Sequence, residues 1–332
     1  MAKRIGVAAS GSAEVTQTAV DILEAGGNAF DAVLGALCTA SIAEPLLASL
    51  GGGGFLLALP DGQKPRVYDF FCQTPQKHRP EDEIDFFPII ANFGTAEQEF
   101  QIGLGSSAVP GVVAGIFEAH GDLGRMPIAE IMSPAAELAR SGVEVDYFHA
   151  YIARILETIM RATPESFALY ESPSNPGELI TQGELHRNPE AAAAFDSLIE
   201  EGPDLFYRGE WARQLADDCA EKGGLITMDD LASYRVERRD PVVFRYRGTR
   251  VAINPPPSPG GCLVAFALGV LSDWDRGDAE WGSQDHMMNL LRGMRAASVA
   301  RHTFSMEAGL CLLYTSPSPR DTNLHLVCRL LL

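Results

Sequence analysis

The stretch from Glu44 to Pro60 reads EPLLASLGGGGFLLALP, and its four consecutive glycines, Gly51 to Gly54, run directly into an apolar segment. A strand of β-forming residues does not need glycines before it, and each glycine adds to the backbone entropy lost on folding. The run therefore indicates backbone that turns with positive φ or that another group approaches closely. Because Leu50 and Phe55 flank the glycines, we expect a packed, buried turn instead of a solvated loop.

The composition bounds the size of the protein and the partners that suit it. Its 332 residues, 46% of them hydrophobic, are enough for one large α/β domain or two smaller ones. With 26 Lys+Arg against 44 Asp+Glu, the formal net charge of -18 repels phosphate backbones and anionic lipid. We therefore expect no nucleic-acid partner and no membrane partner.

The cysteines and histidines do not follow the spacing of metal or redox motifs. The 6 cysteines include no CxxC pair and the 7 histidines no HExxH, so we expect reduced, mostly buried thiols, no metal and no cofactor. The opening MAKRIGVAAS lacks an apolar segment of signal-peptide length, and the apolar run 55–59 is too short to span a bilayer. The sequence as written predicts a cytoplasmic protein, or a periplasmic one if its N-terminus is incomplete.

Periodicity predicts helices mixed with hairpins, which indicates layered α+β packing instead of strict βαβ alternation. From Ser12 apolar residues recur with helical spacing up to a stop at Gly26-Gly27, and Asn28 caps a second helix whose small-residue face suits packing against a sheet. The other predicted elements are a strand over 5–9, a hairpin of 55–59 with 67–71, an irregular excursion over 76–100, a helix over 112–120, mainly helices over 128–218, helix caps at Asn188 and Thr227, and strands over 242–246 and 250–254.

Several local patterns resemble catalytic or binding motifs without matching them. No GxxxxGK[ST] is present, and residues 103–108 (GLGSSA) fit a dinucleotide-binding fingerprint only loosely. Ser106-Ser107 lack the GxSxG spacing of a nucleophile elbow, so a turn is favoured over a catalytic serine. The acidic pairs Asp217-Asp218 and Asp229-Asp230 adjoin helix ends and fit solvated or capping residues. The residues by themselves give an enzyme-sized domain and no catalytic constellation.

Six segments, taken in order, resemble motifs of the gamma-glutamyltransferase (gamma-glutamyltranspeptidase) family. Each alone is modest, but six in the right order, spread over most of the chain, make the resemblance specific. They are Glu24–Ala32 (EAGGNAFDA, similar to EGGNAVDAA), Leu50–Phe55 (LGGGGF), Pro110–Gly115 (PGVVAG, similar to TPGxVAG), Gly202–Gly209 (GPDLFYRG, similar to GPDxFYxG), Gly223–Leu231 (GGLITMDDL, similar to GGLITxEDL) and Pro255–Gly261 (PPPSPGG, similar to PPPSSGG).

The resemblance implies an α+β N-terminal-nucleophile hydrolase, of which this chain is the heavy part with an incomplete αββα sandwich. Family precursors cut themselves, and the light part then begins with a threonine that is both nucleophile and, through its amine, its own base. The implied activity is transfer or hydrolysis of gamma-glutamyl groups from glutathione-type amides. The implied partners are a small-molecule gamma-glutamyl or acyl amide and the light part of the same precursor. Gly51, Gly52, Gly53 and Gly54 are then packed backbone near the site.

One departure from the family pattern concerns substrate binding. A segment resembling DFRExAP normally carries an arginine that holds the α-carboxylate of the substrate. The matching segment here is Asp69–Pro75 (DFFCQTP), and Phe71 occupies the arginine position. A phenyl ring cannot form the bidentate, charge-assisted contact that a guanidinium forms, so we expect altered acyl specificity unless Arg66 or Arg79 replaces it.

A second departure concerns the nucleophile. The family's Thr-Thr-His-like segment is absent, and Thr303 lacks the flanking pattern, so we expect no catalytic residue in this chain and no activity of the chain alone. The resemblance fades after Met306, and LLYTSPSPRD (312–321) looks like translated sequencing-adapter sequence. We expect a truncated heavy-part domain over 1–306 and an unrelated, artefactual tail over 307–332.

Three alternatives to a gamma-glutamyl enzyme stay open at this point. The first is a related acylase or amidohydrolase with a non-glutamyl acyl group, which Phe71 favours. The second is a binding domain without turnover, although half a sandwich leaves an apolar sheet face uncovered. The third, remote alternative is a nucleotide-binding protein built on residues 103–108.

Overall fold

The computed structural model describes residues 6–94, 96–256, 258–273 and 279–307. The chain divides into two compact units. Unit 1 comprises Met1–Gly54 and Phe70–Val236, and unit 2 comprises Phe55–Asp69 and Glu237–Leu332. The domain predicted over 1–306 stays a prediction, and the tail predicted over 307–332 lies, from residue 308 on, outside the described residues.

Thirteen α-helices occur in the described part of the chain, most of them in unit 1. The region 128–218 is dominated by helices, as its periodicity predicts. The helices are α1 Ala13–Glu24, α2 Ala29–Ala43, α3 Val112–Leu123, α4 Ile128–Ser141, α5 Tyr147–Ile155, α6 Glu157–Met160, α7 Pro164–Tyr170, α8 Pro189–Glu201, α9 Asp204–Tyr207, α10 Glu210–Glu221, α11 Met228–Ser233, α12 Pro259–Asp273 and α13 Gln284–Glu307.

The strands form small sheets. One has three strands in the order β1-β2-β7, and three two-stranded sheets pair β3 with β4, β5 with β6 and β8 with β9. The predicted hairpin of 55–59 with 67–71 and the strands predicted over 242–246 and 250–254 correspond to the neighbours β1-β2 and β8-β9. The strands are β1 Gly54–Ala58, β2 Arg66–Phe70, β3 Phe87–Asn92, β4 Glu97–Ile102, β5 Val143–Glu144, β6 Leu185–His186, β7 Glu237–Arg239, β8 Val242–Tyr246 and β9 Thr249–Ile253.

Helix α2 is the centre of the helical packing in unit 1. Its main partners are the helices α1 and α4, so the prediction that its small-residue face packs against a sheet is wrong. A Cβ on Gly35 would collide with the Ile22 side chain and lie 3.2 Å from the Ile131 carbonyl oxygen. Glycine and alanine on α2 let the three helices approach closely, because any longer side chain would separate them.

The first family-like motif caps α2. The Asn28 side chain accepts from the amides of Phe30 and Asp31, and the Asp31 carboxylate accepts from the Asn28 amide at 2.8 Å. Asp31 is fully buried, and its second oxygen accepts from the Arg125 amide at 2.9 Å. The carboxylate therefore fixes both the start of α2 and the loop before α4. The caps predicted at Asn188 and Thr227 are also confirmed.

Two predictions about secondary structure are wrong. Residues 6–9 form no strand, and Val7 is 98% exposed, because an apolar run needs a neighbouring strand to become one. The excursion predicted over 76–100 contains the antiparallel pair β3-β4, with Phe87 opposite Ile102 and Ala91 opposite Gln98. Proline follows the first residue of β3, and Glu97 and Glu99 precede the few apolar residues of β4, so neither strand shows a clear alternation in the sequence.

In unit 2, a buried carboxylate joins neighbouring strands. Strand β2 pairs antiparallel with β7, and Asp69 on β2 is 7% exposed. Its Oδ2 accepts from Nε of Arg239 at 2.7 Å. The buried carboxylate of Asp69 thus has a charged hydrogen-bond partner on the adjacent strand, and we assign it a structural role in this sheet.

Candidate functional site

Three segments of unit 1 meet through backbone hydrogen bonds. The Gly52 carbonyl accepts from the amides of Gly111 at 2.8 Å and Val112 at 3.1 Å. Gln73 and Val109 exchange a pair of backbone hydrogen bonds at 3.1 and 2.8 Å. We call the group formed by residues 51–54, 70–73 and 109–112 the glycine-run site. It unites three of the sequence segments on which the family resemblance and its first departure rest.

Close approach explains the second half of the glycine run. A Cβ on Gly53 would collide with the Cys72 amide nitrogen and lie 2.9 Å from its Sγ, and a Cβ on Gly54 would lie 3.0 Å from the Phe70 ring. None of the four glycines has positive φ, so the prediction that the run turns with positive φ is wrong. The expectation of a buried turn is wrong as well, because Gly51 and Gly53 are exposed. The run is a surface segment on which the 70–73 segment lies.

Glycines in the 109–115 region accommodate the same neighbours. A Cβ on Gly111 would collide with the Phe70 carbonyl oxygen and the Tyr234 hydroxyl, and would lie 2.8 Å from the Phe70 carbonyl carbon. A Cβ on Gly115 would enter the Phe70 ring. The two glycines of the PGVVAG motif are therefore required because Phe70 and Tyr234 occupy the space that a side chain would need.

Two stacked tyrosines, Tyr207 and Tyr234, hold the site through hydrogen bonds, and neither was predicted from the sequence as a site residue. Their rings lie 5.5 Å apart with an interplanar angle of 16°. Tyr207 donates to the Pro110 carbonyl at 2.9 Å and accepts from the Ala114 amide at 3.1 Å, and Tyr234 donates to the Phe71 carbonyl at 3.0 Å. Burial raises the pKa of Tyr207, so it stays a neutral donor. The sequence feature that could have identified them is their position, because Tyr207 lies within the GPDLFYRG motif and Tyr234 lies just after the GGLITMDDL motif.

These tyrosines give a graded stability prediction. Tyr207→Phe leaves the buried Pro110 carbonyl and the Ala114 amide without their partner, whereas Tyr234→Phe removes one donor from the Phe71 carbonyl. We expect Tyr207→Phe to lower the free energy of unfolding by about 2 kcal/mol and Tyr234→Phe by about 1 kcal/mol. Thermal unfolding of both variants measures this order. Equal or reversed shifts would contradict the hydrogen-bond assignment.

Cys72 lies within the site as a neutral thiol. It is half-buried, and burial raises its pKa while the Gly111 backbone hydrogen bond opposes that shift. A thiol with a raised pKa is protonated at neutral pH and is a poor nucleophile. Cys72 is therefore a packing neighbour of Gly53, and the expectation of reduced, mostly buried thiols holds for Cys38, Cys219 and Cys262 too.

Phe71 lies at the surface of the site. The residue is 57% exposed, and its carbonyl accepts a hydrogen bond from the Tyr234 hydroxyl. Of the two arginines considered as substitutes, Arg79 donates to the carbonyls of Cys219 at 3.3 Å and Ala220 at 2.6 Å, at the end of α10. Arg66, in unit 2, donates to the Gln63 side chain. Arg79 is therefore engaged at the end of α10, and Arg66 has its partner within unit 2.

The other candidates from the sequence have structural roles. Ser106 donates to the Gly103 carbonyl at 2.7 Å within a short 3-10 turn, and the Leu104 amide donates to the Asp85 carboxylate. The Asp85 carboxylate therefore already accepts from the Leu104 amide, which a bound phosphate would need as a donor. Asp230 caps α11 and accepts from the Gln76 amide at 3.0 Å, and Asp218 pairs with Lys222 at 2.6 Å.

Two absences apply to the described residues alone. Within them, no group of three or more His, Cys, Asp or Glu side chains is placed to hold a metal ion. Among the helices they form, none has both the length and the apolarity needed to cross a bilayer. The cytoplasmic location stays a prediction.

Comparison with known proteins decides the family. A family model described as gamma-glutamyltranspeptidase matches residues 15–308. The chain belongs to the gamma-glutamyltranspeptidase family. It is 32% identical over 305 residues to the glutathione hydrolase proenzyme of Escherichia coli (strain K12), covering 90% of this chain and 50% of that protein. It is 33% identical over 290 residues to the acylase ACY 1 proenzyme of Pseudomonas sp. (strain SE83), covering 84% of this chain and 50% of that protein.

Solved structures of gamma-glutamyltranspeptidase relatives share the fold. The Helicobacter pylori gamma-glutamyltranspeptidase superposes with a TM-score of 0.79 at 24% identity, over 97% of this chain and 88% of that one. The cephalosporin acylase from Bacillus halodurans superposes with a TM-score of 0.73 at 26% identity, over 86% of this chain and 52% of that one. The α+β fold of the N-terminal-nucleophile hydrolase type is confirmed. The chain spans about half the length of the curated relatives it matches.

Proposed function

We propose that this chain is the heavy part of a self-cleaving proenzyme that hydrolyses amides or transfers their acyl groups. Its family membership supports this. Two of its relatives are named as proenzymes, and the chain spans about half the length of each. The nucleophile of the proposed reaction is a threonine of the light part, which this chain does not supply. The 332-residue chain alone is therefore inactive.

The proposed reaction is acyl transfer through a covalent intermediate. The threonine hydroxyl attacks the amide carbonyl while its own α-amine takes the proton, and the leaving amine departs with a proton. Water or an amino-acid amine then attacks the ester and regenerates the hydroxyl. The glycine-run site contributes rigid backbone and the Phe71 side chain, which bind and orient the acyl group.

The acyl group is one that does not depend on an α-carboxylate contact from this segment. Phe71 carries this inference, because an exposed phenyl ring stands where the family pattern has arginine, and Arg79 is engaged at α10. A phenyl ring favours methylene groups over a charged carboxylate. The acylase relative in Pseudomonas is as similar in sequence as the glutathione hydrolase of Escherichia coli.

A series of four 4-nitroanilides tests both halves of the proposal on the complete precursor. Gamma-glutamyl carries an α-amine and a carboxylate, glutaryl only the carboxylate, 4-aminobutyryl only the amine, and butyryl neither. We expect turnover with kcat/KM for butyryl within about threefold of that for glutaryl, because an unmade ion pair contributes nothing. The 332-residue chain, assayed alongside, releases no nitroaniline.

The outcomes separate the class of reaction from its specificity. No turnover of any anilide by the processed precursor would contradict the acyl-transfer proposal. Turnover with at least about thirtyfold preference for the two carboxylate-bearing substrates would contradict the acyl specificity and favour a gamma-glutamyl enzyme. Nitroaniline release by the 332-residue chain would contradict the assignment of the nucleophile to the light part.

A further inference from the structure

A pocket in unit 2 has the composition of an anion site and shares no residue with the glycine-run site. It encloses about 300 Å³ beside the β8-β9 turn and the first turns of α13. Leu271 and Leu290 supply apolar surface, and Tyr246, Trp281 and His286 supply aromatic rings. A free volume of this size matches a compact one-ring ligand.

The cation of the pocket comes from an unusual backbone position. Arg247 has φ of 50°, and among the described residues it is the one non-glycine with positive φ. With Gly248 at φ of 81°, it forms a two-residue turn of type I′, in which asparagine or glycine is normally preferred. A long side chain in this conformation costs stability, so its presence calls for a role of the guanidinium.

The Arg247 guanidinium lies over an aromatic ring and has N–H groups left to bind a ligand. Its central carbon is 4.9 Å from the centroid of the Tyr246 ring. No ion pair or hydrogen bond engages it within the described residues. The guanidinium is planar, so N–H groups that face away from the ring suit bidentate binding of a carboxylate. In a chain of net charge -18, Arg245, Arg247 and Arg250 also concentrate positive charge at this hairpin tip.

The other polar groups of the pocket are donors as well. Nδ1 of His286 accepts from the Gly282 amide at 3.0 Å, which places the proton of the ring on Nε2. The Trp281 indole can only donate, and the Asn289 amide has two donor hydrogens. Trp281 is 91% exposed and lies 4.7 Å from the His286 ring, so its outer face is open to a planar ligand.

We propose that this pocket binds a small aromatic carboxylate. The carboxylate is held by the edge of Arg247 with donors from His286 or Asn289, and the ring lies against Trp281 and Tyr246. Neither a neutral aromatic amide nor a carboxylate without a ring satisfies both parts. The inference does not rest on the proposed acyl transfer, because it uses only residues of unit 2.

Binding of 4-fluorophenylacetate to the 332-residue chain, followed by fluorine NMR, tests the proposal. We expect a Kd of about 1 mM or lower, as its size allows, and binding at least about tenfold weaker for 4-fluorophenylacetamide and for acetate. Equal affinity of acid and amide, or no binding at about 5 mM, would overturn it.

The variant Arg247→Asn removes the cation without endangering the fold. Asn-Gly is the preferred pair for this turn, so we expect an equal or higher Tm together with at least about tenfold weaker binding of 4-fluorophenylacetate. Arg250→Gln is the matched control, since it lowers the charge of the same hairpin equally but does not line the pocket, and its Kd stays within about twofold. An unchanged Kd in Arg247→Asn, or equal losses in both variants, would overturn the assignment.

Discussion

Replacing Gly111 by alanine is expected to lower the free energy of unfolding by about 3 kcal/mol or more, although it adds a single methyl group. The added carbon would collide with the Phe70 carbonyl oxygen and the Tyr234 hydroxyl. Neither neighbour moves freely, because Tyr234 is fixed to the Phe71 carbonyl and Gly111 itself donates to the Gly52 carbonyl. For a unit of this size the loss corresponds to a fall in Tm of roughly 6–12 °C.

Gly121→Ala in α3, the helix that begins directly after Gly111, is the matched control for that prediction. Gly121 lies inside α3, and a Cβ there meets no atom within 4 Å. Alanine then contributes only its helix propensity, so we expect a gain of about 0.5–1 kcal/mol. Scanning calorimetry of both variants gives shifts of opposite sign. A small fall in both would show that the collision at Gly111 is relieved by local movement, and the packing argument for the glycine-run site would be wrong.

Local codes in the sequence predicted much of the fold. The caps at Asn28, Asn188 and Thr227 each depend on atoms within three residues, so the chain nearby contains the whole signal. The pair β3-β4 shows the opposite case. Its apolar residues are separated by glutamates and a proline, and only the register of the two strands reveals which side chains face each other.

The candidate site shows why long-range contacts resist prediction. The glycine run predicted that another group approaches the backbone closely. The sequence did not show that this group is Cys72, because the tertiary fold brings the two segments together. Tyr207 bonds a carbonyl 97 residues away and Tyr234 one 163 residues away, and no periodicity encodes such pairs. Phe71 was found through the family resemblance, because a single residue becomes informative only when a pattern gives the expected one.

Phe71→Arg in the complete precursor is expected to change which acyl groups are preferred. The new guanidinium would stand at the family's carboxylate-binding position, on a backbone already fixed by Tyr234. A charge-assisted contact to a carboxylate is worth about 2 kcal/mol when both groups are partly shielded from water. We therefore expect kcat/KM for glutaryl relative to butyryl 4-nitroanilide to rise by about thirtyfold.

Two further substitutions separate charge from shape at this position. Phe71→Leu removes the ring without adding charge, so the glutaryl to butyryl ratio stays within about twofold of the original. Phe71→Lys adds a point charge without the planar fork, so its ratio falls between those of the leucine and arginine variants. Since residue 71 is 57% exposed, none of these side chains meets a packed core, and Tm is expected to stay near the original. Equal ratios in all four proteins would mean that residue 71 does not face the acyl group, and the carboxylate preference would then reside in residues outside this segment.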